Sequence, residues 1–298
     1  MEPVAGDPDA QTVIEPHEDI PANLERATMR MQFPPSYVIV GVYRLLNDPQ
    51  LRKPTWDKCK HATRRGLIVG FAWAALTFGI QKKFIEVFLT NSPRITGLSN
   101  DTMFGFRLPF SVQTYAAVLM LGSQVTYIMR FFLARNINIA RERAWNYTVI
   151  SRGKGPGFWH AYVEESEGPA SVEPKRGNIL HKMMGTSFGR FFVKRVIFLP
   201  FNLYPFVGIA VTAWFKALGT ARYLHKPYFE SKKMTKEQIQ TFVERHKWDY
   251  RAFGFAAALL EGVPIIGLLF TVSNRVGAAM WAHDLEKRQH FIEERKQK

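Results

Sequence analysis

Four apolar runs constrain this chain more than any other feature, together with the basic residues that flank two of them on both sides. Residues 66–80, 108–132, 196–215 and 252–273 hold most of the apolar side chains, and polar, basic sequence fills the gaps. A soluble core scatters its apolar residues at helical or strand period, whereas long uncharged runs are the mark of membrane segments. The hydrophobic content of 47% and the mean hydropathy of −0.13 are ordinary for a soluble protein. The reading is therefore a membrane protein with sizeable polar parts.

The first two runs read as spans. "GLIVGFAWAALTFGI" (66–80) continues into "QKKFIEVFLT", giving a membrane segment over about 66–90 with snorkelling Lys82 and Lys83. The second segment, 108–134, is uncharged until Arg130 and carries Pro109 at its first turn, where proline is tolerated. The loop between them, 91–107, is only lightly charged, with Arg94, Arg107 and Asp101. By the positive-inside rule it is expected on the lumenal or extracellular side, with the outer ends of the pair cytosolic.

The third and fourth segments, 196–219 and 252–281, behave differently. Lys194 and Arg195 precede the third, and Lys216, Arg222 and Lys226 follow it. Lys247 and Arg251 precede the fourth, and Lys287 and Arg288 follow it. Basic flanks on both ends belong on one side of a membrane, which a single crossing cannot provide and a hairpin can. Each segment also has a proline early in its apolar run. Pro205, Gly208, Thr212 and Lys216 recur as Pro264, Gly267, Thr271 and Arg275 at a constant offset of 59 residues. Each proline is expected to open a returning helix at its first position. Arms of about 10–14 residues would reach roughly 15–20 Å, half a membrane. Two proline-kinked full spans are the alternative.

The remaining chain reads as an acidic, disordered tail over 1–35, a single helical membrane domain over 36–290 and a charged tail over 291–298. Within the domain, short helices are expected over 37–46 and 56–65, an interfacial helix over 178–193, and a capped soluble helix over 234–246 with Thr235 and Gln238 in capping-box spacing. The amino-terminal stretch lacks the features of a signal peptide or presequence.

Net charge is +15, spread over every inter-segment stretch. No nucleic-acid-binding motif accompanies it, so anionic lipid head groups are the expected counter-charge and nucleic acid is not an expected partner. The single cysteine, Cys59, excludes an internal disulfide. His160, His225, His283 and His290 show no metal-ligand spacing and read as solvated surface. "RGKGPG" (152–157) has its lysine in the wrong place for a phosphate-binding loop. No nucleophile–base pair and no cofactor fingerprint is evident, so the chain reads as non-enzymatic, with no metal or cofactor.

The candidate site residues follow from the hairpins. Asn202, Pro205 and Gly208 mark one break, and Pro264, Gly267 and Asn274 the other. Helix N-termini brought to the midplane would attract anions. Glu261 is an ionisable group at depth and therefore a functional suspect, although its charge opposes an anion there. Arg275 lies about 21 Å from Glu261 along a continuous helix, and toward the surface in a hairpin, so the two are not expected to pair. Asn100 begins a glycosylation sequon in the predicted lumenal loop.

"GVYRLLNDPQL" (41–51), "FLPFNLYPFVG" (198–208) and "LLEGVPIIGLLFTVSNRVGAAMWAHDLE" (259–286) resemble the etoposide-induced/CysZ-like membrane superfamily, and within it the fungal outer spore wall and lipid-droplet protein family. The similarity spans about residues 37–290. It implies an all-α integral membrane fold with two long transmembrane helices, two re-entrant helical hairpins and amphipathic cytosolic helices. It implies residence in the endoplasmic reticulum membrane or on lipid droplets with both termini cytosolic, and a structural role in lipid handling or spore wall assembly. The bacterial branch implies the alternative, an anion channel or transporter for sulfate-like ions, with a homo-oligomer expected.

Overall fold

A computed structural model describes residues 22–87, 102–103, 106–107, 112–153, 156–162 and 205–296. The chain runs α1 (Ala22–Gln32), α2 (Ser36–Asn47), α3 (Pro49–Ile85), α4 (Val112–Ile150), α5 (Pro205–Leu224), α6 (Lys226–Ser231), α7 (Lys236–Arg245), α8 (Lys247–Gly262) and α9 (Gly267–Lys296). The only strand pairing among the described residues is a two-residue antiparallel ladder, Thr102–Met103 against Phe106–Arg107. Asn100, Asn202, the arm 196–204 and the interfacial helix expected at 178–193 lie outside the described residues.

Helices α3 and α4 pack antiparallel and are both long and apolar enough to cross a membrane. Their most apolar windows are only 17% and 28% buried. A core helix of a soluble protein would be mostly buried; here the apolar side chains point outward, with Leu76 78% and Phe131 81% exposed. Between the two helices, Gly66 and Gly70 let the backbones approach. A Cβ at Gly66 would stand 3.2 Å from Met129 Cα, and one at Gly70 2.8 Å from Val125 Cγ1. Small residues four apart are how membrane helices gain contact where lipid offers no hydrophobic contrast. Gln124 Oε1 accepts from Trp73 Nε1 and from Gln81 Nε2, each at 2.8 Å, and adds a polar tie between the helices.

Both long helices outrun the apolar segments. Asp48 caps α3 by accepting from Gln50 N, and Pro49 sits at its first position. The short helix expected at 56–65 is part of α3, because Pro54 removes one hydrogen bond without breaking the helix. Likewise α4 continues past the membrane segment expected to end at residue 134, as far as Ile150. Leu133, Ile137, Ala140 and Ala144 form a buried stripe at helical period that packs on α9.

Helix α9 is the hub. Every residue from 271 to 284 is buried, so the helix is covered all round. Helix α2 lies antiparallel against it through Gly41 and Gly277, where an added Cβ would collide with the backbone of Ser273 and Tyr37. Helix α1 covers its far end with Leu24 and Ala27 buried. Part of the tail expected over 1–35 is therefore a docked helix, and α9 itself runs on to Lys296 through the expected charged tail. Helices α5 and α8 form an antiparallel pair in which a Cβ at Gly254 would collide with Ala217 O. Helix α7 starts with both halves of the capping box, Thr235 and Gln238 each bonding the other's backbone N–H.

The glycine contacts are testable. Gly254→Val should cost about 1–3 kcal/mol, as overpacking does. Gly79→Ala, on an open face of α3 with nothing within 4 Å, should be neutral or slightly stabilising. Thermal unfolding of the detergent-solubilised protein would compare the two.

Candidate functional site

The break between α8 and α9 is a tight turn over 263–266. Ile266 N donates to Pro264 O at 2.7 Å, closing a γ-turn on Ile265, whose φ of +63° is unfavourable for a β-branched residue. Gly267 N, Leu268 N and Leu269 N donate to the oxygens of Val263, Ile265 and Ile266. Thr126 Oγ1 on α4 accepts from Ile265 N at 2.7 Å and so holds the turn in place. A Cβ at Gly122 would stand 3.1 Å from Pro264 Cβ, so the proline ring nests on the glycine.

Two sequence-based expectations change here. The returning helix begins at Gly267 and not at Pro264; Pro264 belongs to the turn. The amides of residues 265–269 are all bonded, so this N-terminus presents no free N–H until the helix ladder takes over. On the other segment the described residues start at Pro205, inside α5, and Gly208 is buried.

Below the turn, Glu261 and Asn274 meet. Asn274 is fully buried, and its Nδ2 donates to Glu261 Oε1 at 3.0 Å and to Ala257 O at 3.1 Å. The carboxylate thus ties α8 to α9 one turn under the break. Arg275 turns away from Glu261 and caps the C-terminal end of α5. Its Nη1 donates to Tyr223 O at 3.1 Å and Leu224 O at 2.6 Å, the last carbonyls of α5. Its repeat counterpart Lys216 is exposed.

Farther along α9 the buried polar residues belong to an aromatic core. His225 is fully buried among Trp281, Tyr250 and Phe253, with Nδ1 2.7 Å from Tyr250 Oη. Burial pushes its pKa down to about 3. His283 is buried too and stacks on Phe158, and burial lowers its pKa. Both were expected on the surface; the aromatic rings around them account for the difference. His160 is exposed and His290 half-buried, their rings stacked at 4.0 Å. Lys232 and Glu286 form an ion pair at 2.7 Å with neither side chain exposed. Gln289 Oε1 also accepts from Lys232, and Glu286 Oε1 from His160 N. Asp284 accepts from Tyr37 Oη and Arg30 Nη2, both at 2.9 Å. Burial works against its charge, but His283, Arg30 and Tyr37 outweigh it and hold the pKa below the usual carboxylate range. Among the described residues no group of three or more His, Cys, Asp or Glu could hold a metal.

Two apolar, outward-facing helices, a glycine-seated turn and a polar central helix are the geometry against which relatives can be judged. The model of the family described as Sulfate transporter CysZ/Etoposide-induced protein 2.4 matches residues 64–271. The chain belongs to this family. The match takes in α3 from residue 64 onward, α4, the α8–α9 turn and Glu261, and stops before Asn274, Arg275 and the buried ion pair of α9. No curated protein and no solved structure matches the chain significantly. Family membership and the two exposed apolar helices make this a membrane protein.

Sequence reasoning missed the Lys232–Glu286 pair, because nothing local links residues 54 apart in the chain. One signal was available for α9: Gly277, Ala278, Ala279 and Ala282 are small residues on all sides, as in a helix packed all round. Removing one ion-pair partner would leave the other charge buried alone. Lys232→Met should therefore cost about 3–5 kcal/mol, and the double change with Glu286→Leu clearly less; chemical denaturation would read both.

The buried histidines also set a pH dependence. The unfolded chain takes up protons on His225 near pH 6.5, whereas the folded chain resists until about pH 3. Stability is complete above that window and falls as pH drops, by about 1.4 kcal/mol per unit for one such group. Asp284 acts only below the ordinary carboxylate range and leaves this window alone. His225→Phe should flatten the slope between pH 6.5 and about 4.5 and leave the share of His283, in a denaturation series across pH.

Proposed function

We propose that α3 and α4 cross the membrane while α8–α9, and a second hairpin ending in α5, enter from the basic face and return to it. One observation carries this reading: the α8–α9 turn docks on Gly122 and Thr126, near the middle of the apolar run of α4. Gly122 lies about 15 Å from the start of α4 and about 18 Å from the end of that run at residue 134, roughly half a hydrocarbon core deep, with Thr126 one turn nearer the latter end. Supporting it, Ile266 and Leu269 at the tip are exposed and apolar. Lower on the same hairpins Arg251 lies 5.1 Å over Trp214 and 5.6 Å over Trp248, an aromatic and basic pairing suited to the interface.

The function we infer is non-enzymatic: a multi-pass protein of the endoplasmic reticulum with both termini cytosolic, organising lipid handling or, as in the fungal family it resembles, spore wall assembly. A bilayer fits better than a droplet monolayer, because Arg94 and Asp101 between the two spans would sit in oil at several kcal/mol. The bonded tip amides and the acid Glu261 weigh against an anion site at this break. A second reading rests on the family description, which names a sulfate transporter. In that reading an oligomer would pass a sulfate-like anion.

Single-cysteine variants test the arrangement. Ile266→Cys in a Cys59→Ser background should resist a membrane-impermeant maleimide from both sides of sealed microsomes, while labelling from the lumenal side would show a full crossing. Purified protein in sulfate-loaded liposomes then separates the readings. Release at the rate of empty vesicles is expected; saturable release would move the conclusion to transport.

A further inference from the structure

Arg141 on α4 and Arg275 on α9 converge on one ring. Their Cζ atoms lie 5.5 and 5.0 Å from the ring centre of Tyr223, near the end of α5. Arg141 donates to Tyr223 Oη at 3.1 Å, to Thr271 O at 3.4 Å and to Asn138 Oδ1 at 3.5 Å. Arg275 donates to the backbone carbonyls of Tyr223 and Leu224 and interacts with the Tyr223 side chain, and its buried Nε has no hydrogen-bond partner. Neither guanidinium has a carboxylate in ion-pair range among the described residues. Two adjacent cations with neutral acceptors alone are held at a cost, and guanidinium forks are built to meet tetrahedral oxyanions.

The surroundings add to this. Tyr223 also lines a cavity of about 320 Å³ with Arg222 and Lys226 at its rim and Phe229 in its wall. The one acid there, Glu230, is exposed and pairs with Lys226 at 3.4 Å. Depth matters as well. Ile209 meets Gly262 beside the hairpin tip, and Tyr223 is about 21 Å farther along α5. With the tip at mid-depth, that is the level of lipid phosphates, about 15–22 Å from the midplane.

We propose that Arg141, Tyr223 and Arg275 form an oxyanion site for a phosphate group at the basic face of the membrane. Its depth rests on the re-entrant reading; the chemistry of the cluster does not. The phosphate can come from a lipid head group or from free inorganic phosphate, and both are tested.

The experiment uses the full chain in detergent, with Arg141→Gln, Arg141→Lys and the control Arg143→Gln, which removes an equal charge from an exposed position on the same helix. Thermal unfolding first verifies that all are folded. Native mass spectrometry with added phosphatidic acid reads lipid binding, and calorimetry with inorganic phosphate reads the free anion. Expected is binding of one probe that weakens about tenfold or more in Arg141→Gln and is partly kept in Arg141→Lys and fully in Arg143→Gln. Loss on the lipid arm identifies a head group, and loss on the calorimetric arm a free anion. Equal binding by all four proteins, or none by the parent chain on either arm, overturns the proposal. Lumenal labelling of Ile266→Cys would remove the depth argument while leaving these measurements to stand by themselves.

Discussion

A helix that is buried on every side and still carries Asn274, Arg275, Asp284 and Glu286 is the constraint on which the rest of this structure depends. Buried polar groups left unmet cost more than most packing contacts return. Each neighbour of α9 therefore docks through a specific polar partner as well as apolar surface. Helices α1 and α2 meet Asp284 with Arg30 and Tyr37, α5 meets Arg275 with its terminal carbonyls, α8 meets Asn274 with Glu261, and Lys232 just past α6 meets Glu286. Such pairs add little net stability over well-packed apolar residues. Their effect here is to fix register, since a shift of any neighbour by one turn would strand a charge.

The two halves of the molecule follow opposite solvent rules. Around α3 and α4 the apolar side chains face out and the polar ones, Gln81 and Gln124, face in. Around the aromatic core of Tyr228, Phe242, Tyr250 and Trp281 the apolar side chains face in, as in a soluble domain. Helices α4 and α9 run through both regions. Because α4 is one continuous helix through Gly122, Thr126, the buried stripe down to Ala144 and Trp145 in the aromatic cluster, the α8–α9 turn and that cluster are anchored on the same helix.

How much of this was legible in the sequence depends on the range of the interaction. The two spans, the Thr235 cap and the break near Pro264 are local, written in runs, caps and prolines within a few residues. The continuation of α4 was also written locally, as the stripe from Leu133 to Ala144, but the charges of Arg135, Arg141 and Arg143 masked it. The burial of His225 and His283 was not legible, since a lone histidine has the same local sequence whether water or Trp281 surrounds it. Nor was the helix start at Gly267. It depends on Thr126, 139 residues earlier, which holds Ile265 in a conformation that its own side chain disfavours.

That strained turn bears on how the hairpin works. A γ-turn at a β-branched residue costs of order 1–3 kcal/mol and persists only where its surroundings over-determine it. Here the surroundings are one hydroxyl bond and the seating of Pro264 on Gly122. The same arrangement consumes the amide hydrogens that a helix N-terminus would otherwise offer to an anion. In a membrane core an unbonded amide costs several kcal/mol, so under the proposed re-entrant arrangement a tip that closes its own hydrogen bonds could rest against lipid as well as against α4. A tip built to bind an ion would leave those donors open and face them toward a polar cavity. Arg141 and Arg275, which have no carboxylate in ion-pair range among the described residues, gather instead near the other end of α5, around Tyr223, where the proposed re-entrant arrangement would bring head groups and free anions within reach.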